Sequence, residues 1–522
     1  MTPFSSDSRL LRLSGSDDYF TVRDFHQNVL ALGQSGSGKT SGSGKHLAMP
    51  LLRAGMGGLV LCAKPEEAES WRRYCEEAGR LNSLVIWRGE APGFNPIAYE
   101  LVRQGPGGIN GVAELVMAII EMCENASPMP GKASDAFWGQ TTRQVLRNSL
   151  PIIYAATGGL AFADIRRFAS SAPQSAEQMQ DPQWQHGSYF YKAFSAAASR
   201  LDDATGGRVV SYWRDEFAAL DPKTRGNILI SLTTALDRFC HGWLEQAFCG
   251  DTLLFPELCF HGAIIVLDMP ALTRNEDGIV AQQLYKYMWQ RAVLARNGLP
   301  PEQRERSVFL YADEAQYFLN SHDAEFLSTC RGSRCGTIFL SQSLPTFYAK
   351  MSGENARERV HHLLGNFGTR IWHSSACAET NEWAARTLGR VQHYRTSYNE
   401  TQGSSSNVGM NLGEGSNWGR NWGGSSGSSS SGKGSSSSAS SNWGGSEGGS
   451  DNWGRNRGTA TNQGMSQGYS EQMDHLIEPG AFGRMLKTGG PANGNRVSAV
   501  WYQAGRQFKA SGTNALLVEY KQ

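Results

Sequence analysis

Val29-Leu30-Ala31-Leu32-Gly33-Gln34-Ser35-Gly36-Ser37-Gly38-Lys39-Thr40 is the stretch on which the fold turns. Its four leading apolar residues predict a strand buried on both faces. The remainder fits G-x-x-x-x-G-K-[ST] directly after that strand, the context the motif requires. Glycines let backbone N–H groups turn inward around phosphate oxygens, and the helix that follows presents its N-terminus to the same negative charge. Lys39 is placed to neutralise the β and γ phosphates of ATP, and Thr40 to hold Mg²⁺ through its hydroxyl. Gly33, Gln34, Ser35, Gly36, Ser37, Gly38, Lys39 and Thr40 are therefore the candidate nucleotide-binding residues. A second Ser-Gly-Lys, Ser43 to Lys45, reads as helix surface.

Outward from this stretch, short apolar runs recur at Gly58 to Cys62, Leu84 to Trp87, Ala263 to Leu267, Ser307 to Tyr311, Gly336 to Leu340 and Thr369 to His373. Helical patterns lie between several of them, which predicts an α/β core with a mainly parallel sheet. Two more strands are expected near the end, Arg496 to Tyr502 and Leu516 to Tyr520. From about Gly108 to Phe239 only helical periodicity appears, at Val112 to Met122, Phe137 to Ala156, Tyr189 to Leu201 and Thr224 to Phe239. The expected division is a nucleotide-binding domain in three pieces, 1–107, 240–402 and 468–522, with an all-α domain inserted at 108–239 and a low-complexity tract at 403–467.

That tract is more than half Gly and Ser and can bury little apolar surface, so the sequence assigns it no structure. Asn-Trp-Gly recurs in it at Trp418, Trp422, Trp443 and Trp453, with Arg420, Arg455 and Arg457 nearby. Aromatic faces with arginine suit stacking on unpaired bases, at about 1 to 3 kcal/mol per base; a tolerated repeat expansion in an exposed loop is the plainer reading. Over the 522 residues, 49 Lys+Arg stand against 48 Asp+Glu, so no global basic field advertises nucleic acid, and any DNA contact must be local. No run of about 20 apolar residues is present, the usual length of a membrane span, and Met1 to Leu13 lacks the order of a secretory signal. A cytoplasmic protein is expected, peripheral to the inner membrane only through a partner. The nine cysteines show no metal-ligand spacing, and His361 and His362, adjacent in the chain, do not face one ligand.

Hydrolysis needs one carboxylate for the metal and another to prepare water. Asp313 and Glu314 close the apolar run Val308 to Ala312, with Asp313 assigned to Mg²⁺ and Glu314 to the general base. After Gly336 to Leu340 comes Ser341-Gln342-Ser343, where the Gln342 amide is suited to sense the γ-phosphate or orient the water. Arg331 and Arg334 precede that strand; in a ring, such an arginine can reach a neighbour's site, with a surface ion pair as the alternative.

Taken with Phe94-Asn95-Pro96-Ile97, Phe137-Trp138, Lys223-Thr224-Arg225-Gly226-Asn227 and Ile264-Ile265-Val266-Leu267-Asp268, these residues resemble the TraG/TraD-type coupling proteins of conjugation and type IV secretion, a branch of the FtsK/HerA-like motor ATPases. The resemblance runs from about residue 25 to 400 and resumes faintly from 470 to 520. It implies a RecA-like domain, an inserted all-α domain, a homo-hexameric ring and ATP-driven movement of single- or double-stranded DNA, with relaxase or secretion-channel proteins as partners. It also implies that Asp313 and Glu314 support hydrolysis, that Gln342 contacts the γ-phosphate region and that Arg331 acts in trans. A secretion ATPase for protein cargo and a nucleotide-dependent adaptor that recruits a DNA-processing complex are the alternatives. The chain departs from the family in three ways. Relatives begin with membrane-spanning helices, whereas a short polar lead precedes Val29. Cys62-Ala63-Lys64 stands where the family shows Asp-x-Lys. The Trp-bearing Gly/Ser tract replaces a modest loop.

Overall fold

The computed structural model describes residues 3–13, 17–91, 93–126, 136–175, 177–351, 355–409, 424–431, 434–441 and 456–522. They fall into two compact units, Met1–Asn381 with Gly480–Gln522, and Glu382–Pro479.

The first unit opens with an antiparallel pair, β1 (Arg9–Arg12) and β2 (Tyr19–Thr21). This corrects the reading of the lead as merely polar: Leu13, Phe20, Val22 and Phe25 are buried, and the Phe20 ring meets Trp501 edge-on at 5.3 Å. Seven strands follow before the second unit: β3 (Val29–Leu32), β4 (Gly57–Leu61), β5 (Leu84–Trp87), β6 (Ile264–Leu267), β7 (Val308–Ala312), β8 (Cys335–Ser341) and β9 (Thr369–Trp372). The second unit contributes β10 (Arg390–Gly409), β11 (Gly424–Ser431), β12 (Gly434–Ser441) and β13 (Asn456–His475), and the first resumes with β14 (Arg496–Gln503) and β15 (Ala515–Lys521).

All nine apolar runs of the sequence are strands of one sheet, in the order β15-β14-β9-β3-β8-β7-β4-β6-β5. Neighbours from β9 to β5 pair in parallel, whereas β14 pairs antiparallel with both β9 and β15. The strand carrying the phosphate motif lies between β8 and β9, with Leu32 level with Ser341 and Trp372. Strands β3, β4, β6, β7 and β8 are buried at every residue. β5, expected to be equally buried, is the sheet's edge strand and only half-buried, because one side has no neighbour. Helix Glu67–Glu77 seats Trp71 on β7, stacked on Phe309 at 5.8 Å and edge-on to Tyr311 at 4.9 Å. Fully burying one such side chain contributes about 1.5 to 3 kcal/mol.

Between β5 and β6 the described residues form helices and one isolated parallel bridge, Gly93 to Thr252, the longest helices being Gly108–Ala126, Ala136–Thr157 and Pro222–Asp237. Asn95 caps helix Pro96–Gln104 by accepting from the Ala98 amide at 3.0 Å, which gives the Phe-Asn-Pro-Ile motif a structural role. Among the described residues no helix is long and apolar enough to cross a membrane.

In the second unit, β10 and β13 pair antiparallel from Arg390 opposite His475 to Gly409 opposite Asn456, and β11 pairs with β12. Strands thus enter the tract 403–467 from both ends. Trp418, Trp422, Trp443, Trp453, Arg420 and Arg455 lie outside the described residues.

Candidate nucleotide site

β3 ends at Leu32 and its chain turns through Gly33–Thr40 at the carboxyl edge of the sheet. The turn needs its glycines: Gly36 and Gly38 have φ of +75° and +79°, which L side chains disfavour. A Cβ on Gly38 would also run into Val497. The Gly33 N–H donates to Ser341 O at 3.2 Å and the Gln34 N–H to Ser374 O at 3.0 Å, so the turn is tied to the ends of β8 and β9.

The acidic pair comes to this turn from β7. Along a strand, successive side chains point to opposite faces, but Glu314 has φ 49° and ψ 46°. This left-handed conformation, costly for a residue with a Cβ, breaks the alternation and turns both carboxylates toward the phosphate loop. Thr40 Oγ1 donates to Asp313 Oδ2. Lys39 Nζ lies 3.4 Å from Glu314 Oε1, with both side chains buried. Gln342, just beyond β8, reaches both Glu314 oxygens at 3.4 Å. Lys39, Thr40, Asp313, Glu314 and Gln342 therefore meet in one place.

Arg331 does not join them. It lies exposed in the turn before β8, at the amino edge of the sheet. The seven residues of β8 separate it from Gln342, about 20 Å at the usual rise per strand residue. Arg334 in the same turn donates to Phe4 O at 3.1 Å.

Four further residues bear on the site. Lys64 Nζ lies 3.3 Å from the same Glu314 oxygen that Lys39 approaches. Gln316 Nε2 donates to Glu314 Oε2 at 2.9 Å. Glu67 Oε2 accepts from the Ala63 N–H at 2.7 Å, while its Oε1 is buried without a hydrogen-bond partner. Ser43, read as helix surface, is fully buried and 2.7 Å from His373 Nε2; only Lys45 of that triplet is surface, paired with Glu77 at 3.1 Å. Lys64 had a sequence signal, its match to the lysine of Asp-x-Lys. At the aspartate position Cys62 contributes backbone only, its N–H and carbonyl held by Gln282 at 2.8 and 2.9 Å.

The charges are mutually set. Burial works to raise the Glu314 carboxyl, but Lys39, the Gln316 hydrogen bond, Lys64 and Gln342 together outweigh it and hold it below the ordinary value. Burial, with the Asp313 charge next, pushes Glu67 up to about 8. Burial, aided by Lys39, lowers His373 to about 3, so its ring is neutral. The residues fit a triphosphate with its metal ion. A cationic Lys39 stands over a glycine turn crowded at Gly33 and Gly38, the buried Ser37 Oγ has no partner, and a hydroxyl and a carboxylate, the donors Mg²⁺ favours, are already side by side.

No family model and no curated protein matches the chain. Solved structures do. The conjugative coupling protein TrwBΔN70 in a trigonal form with sulfate aligns with a TM-score of 0.55 at 12% identity, over 99% of this chain and 90% of that one. Its unbound monoclinic form gives 0.54 at 12%, over 98% and 88%. This chain has the coupling-protein fold. TrwB in complex with a non-hydrolysable ATP analogue aligns at 0.52 and 12% identity, over 99% of this chain and 90% of that one. The RecA-like core with its helical stretch between β5 and β6 is thus a known arrangement, reached here by a sequence that shares about one residue in eight.

Proposed function

We propose that this chain is an ATP-hydrolysing coupling protein that drives DNA or nucleoprotein through a conjugation-type or type IV secretion-like system. The observation that carries the reading is the convergence of Lys39, Thr40, Asp313, Glu314 and Gln342 at one sheet edge. The coupling-protein fold supports it, since TrwB is described in complex with ADP and Mg²⁺ and with an ATP analogue. Gly33 to Lys39 would hold the phosphates through backbone N–H groups and the Lys39 ammonium. Thr40 and Asp313 would hold Mg²⁺, which when bound offsets charge on the phosphate oxygens. Glu314, kept ionised by its cations, takes a proton from the attacking water, and Gln342 orients that water or the γ-phosphate. Arg331 acts on the site of a neighbouring protomer in a homo-hexamer, where its arginine stabilises charge in the transition state. Segments 1–107, 240–402 and 468–522 form the motor, and 108–239 is an all-α domain beside it.

ATP turnover measured without DNA, with single-stranded DNA and with double-stranded DNA tests the reading. Turnover is expected to rise with at least one DNA and the stimulation to fall steeply with salt, because phosphate contacts release counterions. Turnover indifferent to DNA would point to protein cargo; no turnover in any assembly state would remove the motor altogether.

A further inference from the structure

The segment after the phosphate loop is not an ordinary helix start. Thr40–Gly44 forms a π turn before helix Lys45–Arg53 begins; the Gly44 N–H donates to Lys39 O at 2.8 Å. Such wide turns are poorly stable on their own and concentrate at functional sites. This one is held between two walls. On one side a Cβ at Gly44 would come within 2.7 Å of the Tyr311 hydroxyl and 3.0 Å of Leu340. On the other, Val497 of β14 and Tyr520 of β15 lie against Gly42, and Gln522 Nε2 donates to Ser41 Oγ at 2.7 Å.

Inside the turn, Ser43 Oγ donates to Lys39 O at 3.1 Å. A hydroxyl has one proton, so the 2.7 Å contact between Ser43 Oγ and His373 Nε2 requires the imidazole to donate from Nε2. Nδ1 is then the acceptor nitrogen, and it is buried without a partner. His373 follows β9 directly, its Cβ is what a side chain on Gly33 would strike, and its ring stacks on Tyr520 at 6.2 Å and 30°. One side chain therefore touches the first residue of the phosphate loop and, through Ser43, the carbonyl of the lysine at its end.

We propose that His373 is a positioning residue for nucleotide binding: its Nε2–H fixes Ser43, Ser43 fixes the Lys39 carbonyl in the π turn, and β15 closes the wall behind. This rests on reading Gly33–Thr40 as the ATP site and adds to it a dependence on a residue 330 positions from Ser43 in the chain.

The test measures ATP affinity, with KM and kcat separately, for the wild type, His373→Leu, His373→Gln, Ser43→Ala and the double variant His373→Leu with Ser43→Ala. His373→Leu and Ser43→Ala should each weaken ATP binding about tenfold, the scale of one unmade hydrogen bond. The double variant should be no worse than the worse single, since one chain of contacts is cut twice. Glutamine carries an Nε2–H of its own, so His373→Gln should recover most of the affinity, and KM should move more than kcat. Full affinity in His373→Leu, additive losses, or a fall in thermal midpoint with affinity unchanged would each overturn the proposal. Should the leucine variant fail to fold, His373→Gln against Ser43→Ala decides: equal affinities in these two contradict it. A wild type that binds no ATP would overturn the nucleotide reading itself, a result distinguishable from all of these.

Discussion

At the carboxyl ends of β3, β7 and β8, Lys39, Asp313 and Glu314 are buried, with Glu314 between Lys39 and Lys64 and Asp313 accepting from Thr40. At the amino end of β8 the turn holds Arg331 exposed and Arg334 spent on a backbone carbonyl. The first edge has a cation for phosphates, a hydroxyl and carboxylate for a metal, and a base. The second has Arg331. Under the proposed function the two halves of a transition-state clamp would stand on opposite edges of one sheet, too far apart to meet within one chain. The proposed ring would have to seat one protomer's amino edge against its neighbour's carboxyl edge.

The largest expected effect falls on the carboxyl edge. Lys39→Ala removes the phosphate cation and should abolish detectable ATP turnover, because nucleotide affinity falls together with a transition-state donor. Arg331→Ala should leave nucleotide affinity unchanged while cutting turnover by about 10³-fold, the lower end for an arginine acting in trans. Arg334→Ala should change turnover little. Mixing Arg331→Ala protomers with Lys39→Ala protomers should restore part of the rate, because some interfaces then pair an intact phosphate loop with an intact arginine. Equal loss in Arg331→Ala at dilutions where the protein is monomeric would break the comparison.

Smaller effects sharpen it. The folded chain keeps a proton on Glu67 up to about pH 8, which the unfolded chain gives up near 4.5, so stability should fall as pH rises across that window. Glu67→Gln preserves the acceptor for the Ala63 N–H and should raise the thermal midpoint at pH 8 while barely moving it at pH 4. At the amino edge, burial, then Arg334, Arg331 and Arg296, lower His26 to about 4. The unfolded chain binds that proton near 6.5, so the stabilisation is present above pH 6.5 and is lost as pH falls toward 4. His26→Gln should flatten this acid limb in a pH series of thermal melts, by less than the Glu67 effect because Ser307 Oγ, 3.1 Å away, needs a partner either way.

The sheet was legible because parallel strands covered on both faces are written as continuous apolar runs, and every such run proved to be a strand. β1 and β2 escaped because three or four residues carry too little alternation to distinguish from a polar lead. Within the site, Lys39, Thr40, Asp313 and Glu314 were legible because a phosphate loop and a strand-end acidic pair are local patterns. Ser43 and His373 were not. Ser43 sits in a Ser-Gly-Lys triplet that reads as helix surface, His373 is a lone polar residue at a strand end, and what joins them is the adjacency of β3 and β9, a property of the folded sheet. Glu67 likewise reads as an ordinary first-turn glutamate until β7 brings Asp313 to it.

The most direct test of the central claim is Glu314→Gln, measured for nucleotide affinity and for steady-state ATP hydrolysis in the same preparation. Glutamine keeps the shape and removes the base, so ATP affinity should remain within a few-fold of wild type while hydrolysis falls by about 10²-fold or more. Wild-type turnover in this variant would contradict the account.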